Sequence, residues 1–344
     1  MTSPAPVGLA HPWAEPPAPG EMIEVAEGIL WARLPLPMAL DHVNVYALDD
    51  GDGWTLIDTG LNWPKGLTQV EALLAGPLSS KPVTRVVMTH AHPDHLGLLG
   101  WFAARGAQVI ASRAAWVLGR MLVLDRQEVH PPESVTFRQR AGLTGPDLDA
   151  FAQEKPFNFA DCVAPIPQGY LRLREGEIFR AGGRDWHVRL GEGHAIEHIT
   201  LWTKEIVIAG DQILPGISPN IGVYPTEPEA NPLAGWLETC RRFQELGVDP
   251  LVLPGHKLPF RGMAFRLGLL IDNHLHAFDR IEAALDRPKT AVDLMSAIFH
   301  REIRRSDFGL ALVEAVAHMN YLHQAGRVTR TLSQKGAWEY RRSA

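Results

Sequence analysis

From about Met22 the apolar residues fall in short runs rich in β-branched and aromatic side chains, separated by Gly, Asp and Pro. GILWARLPL, HVNVYALDD and GWTLIDTG read as strands, and the Asp-Gly turn between the last two reads as a hairpin. LTQVEALLAG then reads as a helix, TRVVMTH as a strand, LGLLGWFAARG as a helix and AQVIAS as a strand. A hairpin followed by βαβ units predicts a mixed α/β sandwich. The rhythm breaks over 113–179, where helical stretches and Pro-rich turns read as an inserted cap. Strands resume with RDWHVRLGEG, HITLWTK and EIVIAGD, and a final one, PLVLPGH, follows the helix LAGWLETCRRFQELG.

Beyond residue 262 the pattern becomes helical. MAFRLGLLIDNHLHAFDRIEAALD reads as a long helix. Thr290 is placed to cap a helix with Val292, Met295, Ile298 and Phe299 on one face. A second helix carries Leu312, Val313, Val316 and Met319, and a hairpin turns around Gln334-Lys335-Gly336, the order of a winged-helix module. The expected organisation is an extended Pro/Ala-rich tail over 1–21, anchored by Trp13, a catalytic domain over 22–262, and a linker helix with the winged-helix-like module over 263–344.

The chain has 344 residues, 46% of them apolar and 21% charged, which supports a large core and excludes general disorder. Net charge is −6, but from Gly262 onward 12 Lys/Arg against 9 Asp/Glu give a net +3. A globally basic nucleic-acid binder is therefore not expected. No apolar run approaches a membrane span, the N-terminal segment lacks a secretory pattern, and two cysteines, Cys162 and Cys240, make no disulfide framework. These features predict a cytoplasmic protein with no membrane partner.

The chemistry is concentrated in Thr89-His90-Ala91-His92-Pro93-Asp94-His95, directly after an apolar strand. His90 and His92 are two apart and point the same way from extended backbone. Asp94 and His95 begin a turn that can fold back to the same place. Imidazole and carboxylate suit Zn²⁺ and similar ions. An isolated His-x-His pair is commonly structural, but four such groups in six residues form a constellation. Asp58, His194, Asp211 and His256 each follow a strand-like run, where loops converge on a rigid scaffold.

T-H-A-H-P-D-H, with I-D-T-G before it and G-H, G-D and P-G-H after it, resembles the metallo-β-lactamase-fold hydrolases. The flanking DHVNVY, GEGHAIEHITLW and GDQILPGISPNIGVYP resemble a glyoxalase-II-like subgroup that includes animal endoribonucleases. The resemblance implies a four-layer αββα sandwich and two divalent metal ions, Zn²⁺ before Mn²⁺ or Fe²⁺. It places one ion on His90, His92 and His194, the other on Asp94, His95 and His256, and Asp211 between them, with Asp58 orienting a ligand. Asp211 and Asp94 are the expected catalytic carboxylates. The implied reaction is attack by a metal-bridging hydroxide on a small carbonyl ester, such as a thioester or lactone. The alternative is a winged-helix-bearing endoribonuclease acting on single-stranded RNA. Only 45 positions separate Asp211 from His256, which leaves no room for a large nucleic-acid clamp between them. The intact ligand set argues against a mononuclear iron enzyme and a non-enzymatic binding protein.

His198, four residues after His194, is expected beside the ligands. His42, Asn220 and Tyr224 are expected to contact a small-molecule substrate, with Tyr224 a donor to an oxyanion. His274, His276, His318 and His323 fall on C-terminal helices with no clustering of carboxylates and are read as structural. The C-terminal module is expected to serve packing or a homodimer.

Overall fold

The structure is a computed structural model describing residues 8–299 and 303–343. The elements, in chain order, are β1 (Ile23–Ala26), β2 (Ile29–Pro35), β3 (His42–Asp49), β4 (Trp54–Ile57), α1 (Pro64–Ala75), β5 (Val83–Val87), α2 (Pro93–Leu96), α3 (Leu99–Ala103), β6 (Gln108–Ala111) and α4 (Arg113–Leu124). There follow α5 (Pro132–Ala141), α6 (Pro146–Gln153), β7 (Leu171–Arg172), β8 (Ile178–Ala181), β9 (Arg184–Gly191), β10 (His198–Trp202), β11 (Ile206–Gly210), α7 (Pro232–Gln244) and β12 (Leu251–Pro254). The chain ends with α8 (Met263–Ala284), α9 (Ala291–Ile298), α10 (Phe308–Gln324), β13 (Val328–Leu332) and β14 (Trp338–Arg342).

Contacts group the chain into two compact units. The first runs to Arg126 and adds Asn158–Pro219 and Leu246–Arg266; the second holds Gln127–Phe157, Asn220–Glu245 and the chain from Leu267.

The first unit stacks a seven-stranded sheet, β1 to β7 in chain order, on a five-stranded sheet ordered β12-β11-β10-β9-β8. The expected hairpin is β3–β4, paired antiparallel from Asp49↔Trp54, and the βαβ units give parallel β4–β5–β6. Strand β3 shows why its sequence is nearly continuously apolar. Tyr46 and Leu48 face the other sheet, while Val43, Val45 and Ala47 face helices, so both sides are buried. The core between the sheets joins Trp31, Tyr46, Ile57 and Val87 to Trp186, Val188, Ile199, Ile208 and Leu253. On the outer face of the first sheet, α1, α3 and α4 bury Val70, Leu73, Leu99, Phe102 and Trp116. Ahead of β1, Ala10 bridges Arg261, and Trp13 packs against the inter-sheet core.

The second unit corrects two expectations. The 113–179 stretch is not one cap. Helix α4 packs with the sandwich, whereas α5 lies against the β13–β14 turn, with Gln139 donating to the Lys335 carbonyl and Arg140 to the Gly336 carbonyl. Thr290 does cap α9, in a reciprocal capping box with Asp293. The buried face of α9 is Ala291, Leu294, Met295 and Ile298, one step round from the expected stripe, because Val292 and Phe299 are only half-buried. All four apolar positions expected on α10 are buried, and β13 pairs antiparallel with β14.

Trp186 is fully buried and its indole N–H donates to the Ala181 carbonyl at 3.0 Å. Trp186→Ala should lower unfolding stability by about 3–5 kcal/mol through lost burial and a residual cavity between the sheets. Urea denaturation checks this; a loss under about 1 kcal/mol would show that the sheets close around the gap.

Candidate metal centre

The site is built at the carboxyl ends of strands in the first unit. β4 delivers Asp58, β5 delivers Thr89, His90 and His92, and the first turn of α2 carries Asp94 and His95. β9, β11 and β12 lead to His194, Asp211 and His256. Pro93 at the first position of α2 is pre-set for a helical turn and requires no amide hydrogen bond. That turn brings Asp94 and His95 back beside His90 and His92.

Ligand atoms of His90, His92 and His194 lie within 4.8 Å of one another, as do those of Asp94, His95 and His256, and those of His90, His95 and Asp211. Asp211 lies between the first two sets. Its Oδ2 is 3.6 Å from His194 Nε2 and 3.2 Å from His256 Nε2, and its Oδ1 is 3.5 Å from His95 Nε2. Asp94 Oδ2 is 3.4 Å from His256 Nε2 and 3.6 Å from His95 Nε2. His95 Nε2 and Asp211 Oδ1 are buried without hydrogen-bond partners. A Cβ at Gly255 would overlap Asp211 Oδ1, so the chain leaves room beside this carboxylate that a side chain would fill. Two unsatisfied buried donor atoms on a His/Asp set fit divalent metal ions.

A hydrogen-bond frame orients these groups. Asp58 Oδ1 accepts from the Thr89 backbone N–H and its Oδ2 from the Thr89 hydroxyl, both at 2.8 Å. The same Oδ2 lies 2.8 Å from His95 Nδ1, which leaves Nε2 pointing into the site. Thr89 Oγ1 is 2.9 Å from His90 Nδ1, and the His42 carbonyl is 2.7 Å from His256 Nδ1. His198 Nε2 accepts from the Asp211 backbone N–H at 3.1 Å, and its ring stacks on His90 with centroids 4.6 Å apart.

Electrostatics divide the histidines. Burial pushes His90 well below the usual imidazole value and His92 down to about 3, with neighbouring histidines adding to the effect. At His95 and His256 burial also acts to lower the pKa, but carboxylates outweigh it. Asp211, Asp94 and Asp58 raise His95 well above the usual value, and Asp211 and Asp94 raise His256 to about 9. Burial of Asp94 is likewise outweighed, by His95 and His256, which hold it at about 2. One part of the pocket presents neutral nitrogen donors and the other a strong anionic field, a combination suited to divalent cations.

The structure thus brings His90, His92, Asp94, His95, His194, Asp211 and His256 together, with Asp58 and His198 alongside. The residues expected at the substrate stand differently. Both ring nitrogens of His42 are engaged, Nδ1 with Asp41 at 2.6 Å and Nε2 with the Lys257 backbone N–H at 2.9 Å. Asn220 and Tyr224 belong to the second unit; Asn220 donates to the Leu310 carbonyl and to Glu314 Oε2. Sequence reading missed Thr89, whose hydroxyl links Asp58 to His90, and the hold that β3 has on the His256 loop. Asn44 N–H donates to the Gly255 carbonyl, Asn44 Nδ2 to those of Pro254 and Lys257, and the Tyr46 hydroxyl to that of Pro254. A polar Asn within an otherwise buried apolar strand is the signal that was available.

The chain belongs to the metallo-beta-lactamase superfamily: residues 38–256 match that family, and residues 278–343 match the metallo-beta-lactamase-like, C-terminal domain. It is similar to the probable metallo-hydrolase YqjP of Bacillus subtilis, 27% identical over 88% of this chain and 94% of that protein. The crystal structure of a beta-lactamase domain protein from Burkholderia ambifaria superposes with a TM-score of 0.89 at 35% identity, covering 97% of this chain and 98% of that one. A metallo-beta-lactamase family protein of Thermus thermophilus gives a TM-score of 0.78 at 28% identity, covering 93% and 100%.

Asp58→Asn keeps a similar shape but removes the charge facing His95 Nδ1. It should weaken metal affinity by about 10–100-fold, the usual cost of losing a group that orients a ligand. A chelator-competition titration checks this, and affinity within about twofold of wild type would remove Asp58 from the orienting role.

Proposed function

We propose that the chain is a dinuclear metal-dependent hydrolase of small carbonyl esters, either thioesters or lactones. The observation that carries this reading is the position of Asp211, with carboxylate oxygens facing His194 on one side and His95 and His256 on the other. His90, His92 and His194 would hold one divalent ion, and Asp94, His95 and His256 the other, with Asp211 shared. Zn²⁺ suits this nitrogen and oxygen set, as do Mn²⁺ and Fe²⁺. Such ions supply polarisation of an ester carbonyl and a hydroxide nucleophile near neutral pH.

The chain's own groups do the positioning. Asp58, Thr89 and the His42 carbonyl fix the rings of His95, His90 and His256. Asp94 has the more exposed of the two carboxylates in the cluster, 17% against 8% for Asp211, and, held ionised by His95 and His256, would help hold the second ion. A cavity of about 550 Å³ in the first unit is lined by Arg33, Asp41, His42, Lys65 and N-terminal prolines. Its size suits a small molecule. It borders the residue whose carbonyl holds His256, and Arg33 and Lys65 share its wall with Asp41.

The last two helices and hairpin have winged-helix order. With a net charge of only +3 from Gly262 onward, this module is assigned to packing or homodimer contacts rather than to RNA. Among the described residues no helix is long and apolar enough to cross a membrane.

The test is turnover by the full-length, metal-loaded protein on thioesters, lactones, phosphodiesters and single-stranded RNA. Carbonyl ester hydrolysis is expected. Asp211→Ala should abolish it, and Asp94→Ala should lower kcat by at least about 10–100-fold through loss of a carboxylate that would hold the second ion. Salt-sensitive RNA cleavage with no ester turnover would overturn the assignment and favour the endoribonuclease.

A further inference from the structure

Three ionisable side chains that the proposed reaction does not use meet inside the second unit. His274 comes from α8, and Glu314 and His318 come from α10, four residues apart and therefore on one face. One ligand-type atom from each lies within 4.8 Å of the other two. His274 is 0% and His318 1% exposed, amid an apolar interior. Leu312, Val313, Val316 and Met319 of α10 are buried, and the Phe278 ring meets His318 edge-on with centroids 5.5 Å apart. Imidazoles and a carboxylate do not gather in such a place without compensation.

The proton positions can be followed. His318 Nδ1 is 2.8 Å from the Glu314 backbone carbonyl, so Nδ1 carries the proton and Nε2 the lone pair. That lone pair faces His274 Nδ1 at 3.3 Å. Burial lowers His274 to about 3 and His318 to about 4, so both rings are neutral, the form that binds metals. Asn220 Nδ2 donates to Glu314 Oε2 at 2.8 Å and steadies the carboxylate. Two nitrogens bound at about 2.0–2.1 Å to a tetrahedral ion lie about 3.3–3.4 Å apart, the separation of these two. A hydrogen bond between the rings is the competing account. At 3.3 Å it would be longer than the usual N–H···N contact, and it gives the Glu314 carboxylate beside it no part.

We propose that His274, Glu314 and His318 form a separate, structural divalent-metal site that ties α8 to α10. The neutral nitrogens and single carboxylate select Zn²⁺ or a similar transition ion over Mg²⁺ or Ca²⁺, which favour oxygen ligands. The site is independent of the hydrolytic centre and of its metal content.

The test uses Zn²⁺ and the full-length chain. In a His92→Ala/Asp211→Ala/His256→Ala background, which removes one residue from each set of the first centre and the carboxylate between them, about one equivalent of Zn²⁺ per chain should remain after free ion is removed. Adding His318→Gln should abolish it, and the near-isosteric Glu314→Gln should weaken Zn²⁺ binding at least tenfold. Zinc-edge anomalous scattering from crystals of the zinc-loaded wild type gives a second readout that needs no variant. A peak between His274 and His318 is expected. A blank map there, no residual Zn²⁺ in the folded background variant, or residual Zn²⁺ unaffected by both added substitutions would overturn the site and leave an interhelical hydrogen bond.

Discussion

Charge buried in one small volume is the constraint on which the first unit depends. Five histidines and two aspartates come together from five chain segments, at low exposure and with both carboxylates within ion-pair distance of histidines. Taken separately, each would be costly to bury. Held together, carboxylates face imidazoles, and the remaining donor atoms converge in groups able to hold a metal ion. Asp58 binds this arrangement most tightly. Its two oxygens receive the Thr89 amide and hydroxyl and face His95, so one carboxylate sets the direction of two ligand segments.

The backbone bears the cost of that placement. Asp58, Glu197 and Lys257 are the non-glycine residues with positive φ among the described residues, and each adjoins the site. Asp58 turns the chain off β4 so that its side chain points at Thr89. Lys257 turns it after His256, with its amide on His42 and its carbonyl receiving Arg33 and Asn44. Glu197 precedes His198, and its carboxylate accepts from the Ala114 N–H at the start of α4. Strain of this kind persists where the surroundings over-determine the conformation, and here hydrogen bonds from several elements do so. The sandwich core built on Trp31, Trp186 and the facing β-branched residues gives those elements a fixed frame.

The second unit follows the same logic with fewer parts. It is gathered from three separated stretches of chain, held by contacts such as Gln139 and Arg140 on the β13–β14 turn and the Arg327–Glu282 pair at 2.7 and 2.8 Å. Its buried histidines are four-residue helix neighbours of a carboxylate or face one across the helix pair, a relation that spacing along one helix shows only in part.

The sequence by itself determined the strands, the capped α9 and the His/Asp cluster after β5, because each of these is local. Short apolar runs rich in β-branched and aromatic residues, a Thr-x-x-Asp box and a His-x-His-x-Asp-His cluster all carry their physics within a few residues. Thr89, the His42 carbonyl and the β3 contacts to the His256 loop came only with tertiary structure, since backbone carbonyls and cross-sheet hydrogen bonds leave no mark in side-chain pattern. The division of 113–179 between two units was decided in the same way, by which surfaces met after the chain had folded. So was the gathering of His274 with Glu314 and His318, because 40 residues of chain separate the first two and only the packing of α8 on α10 closes that distance.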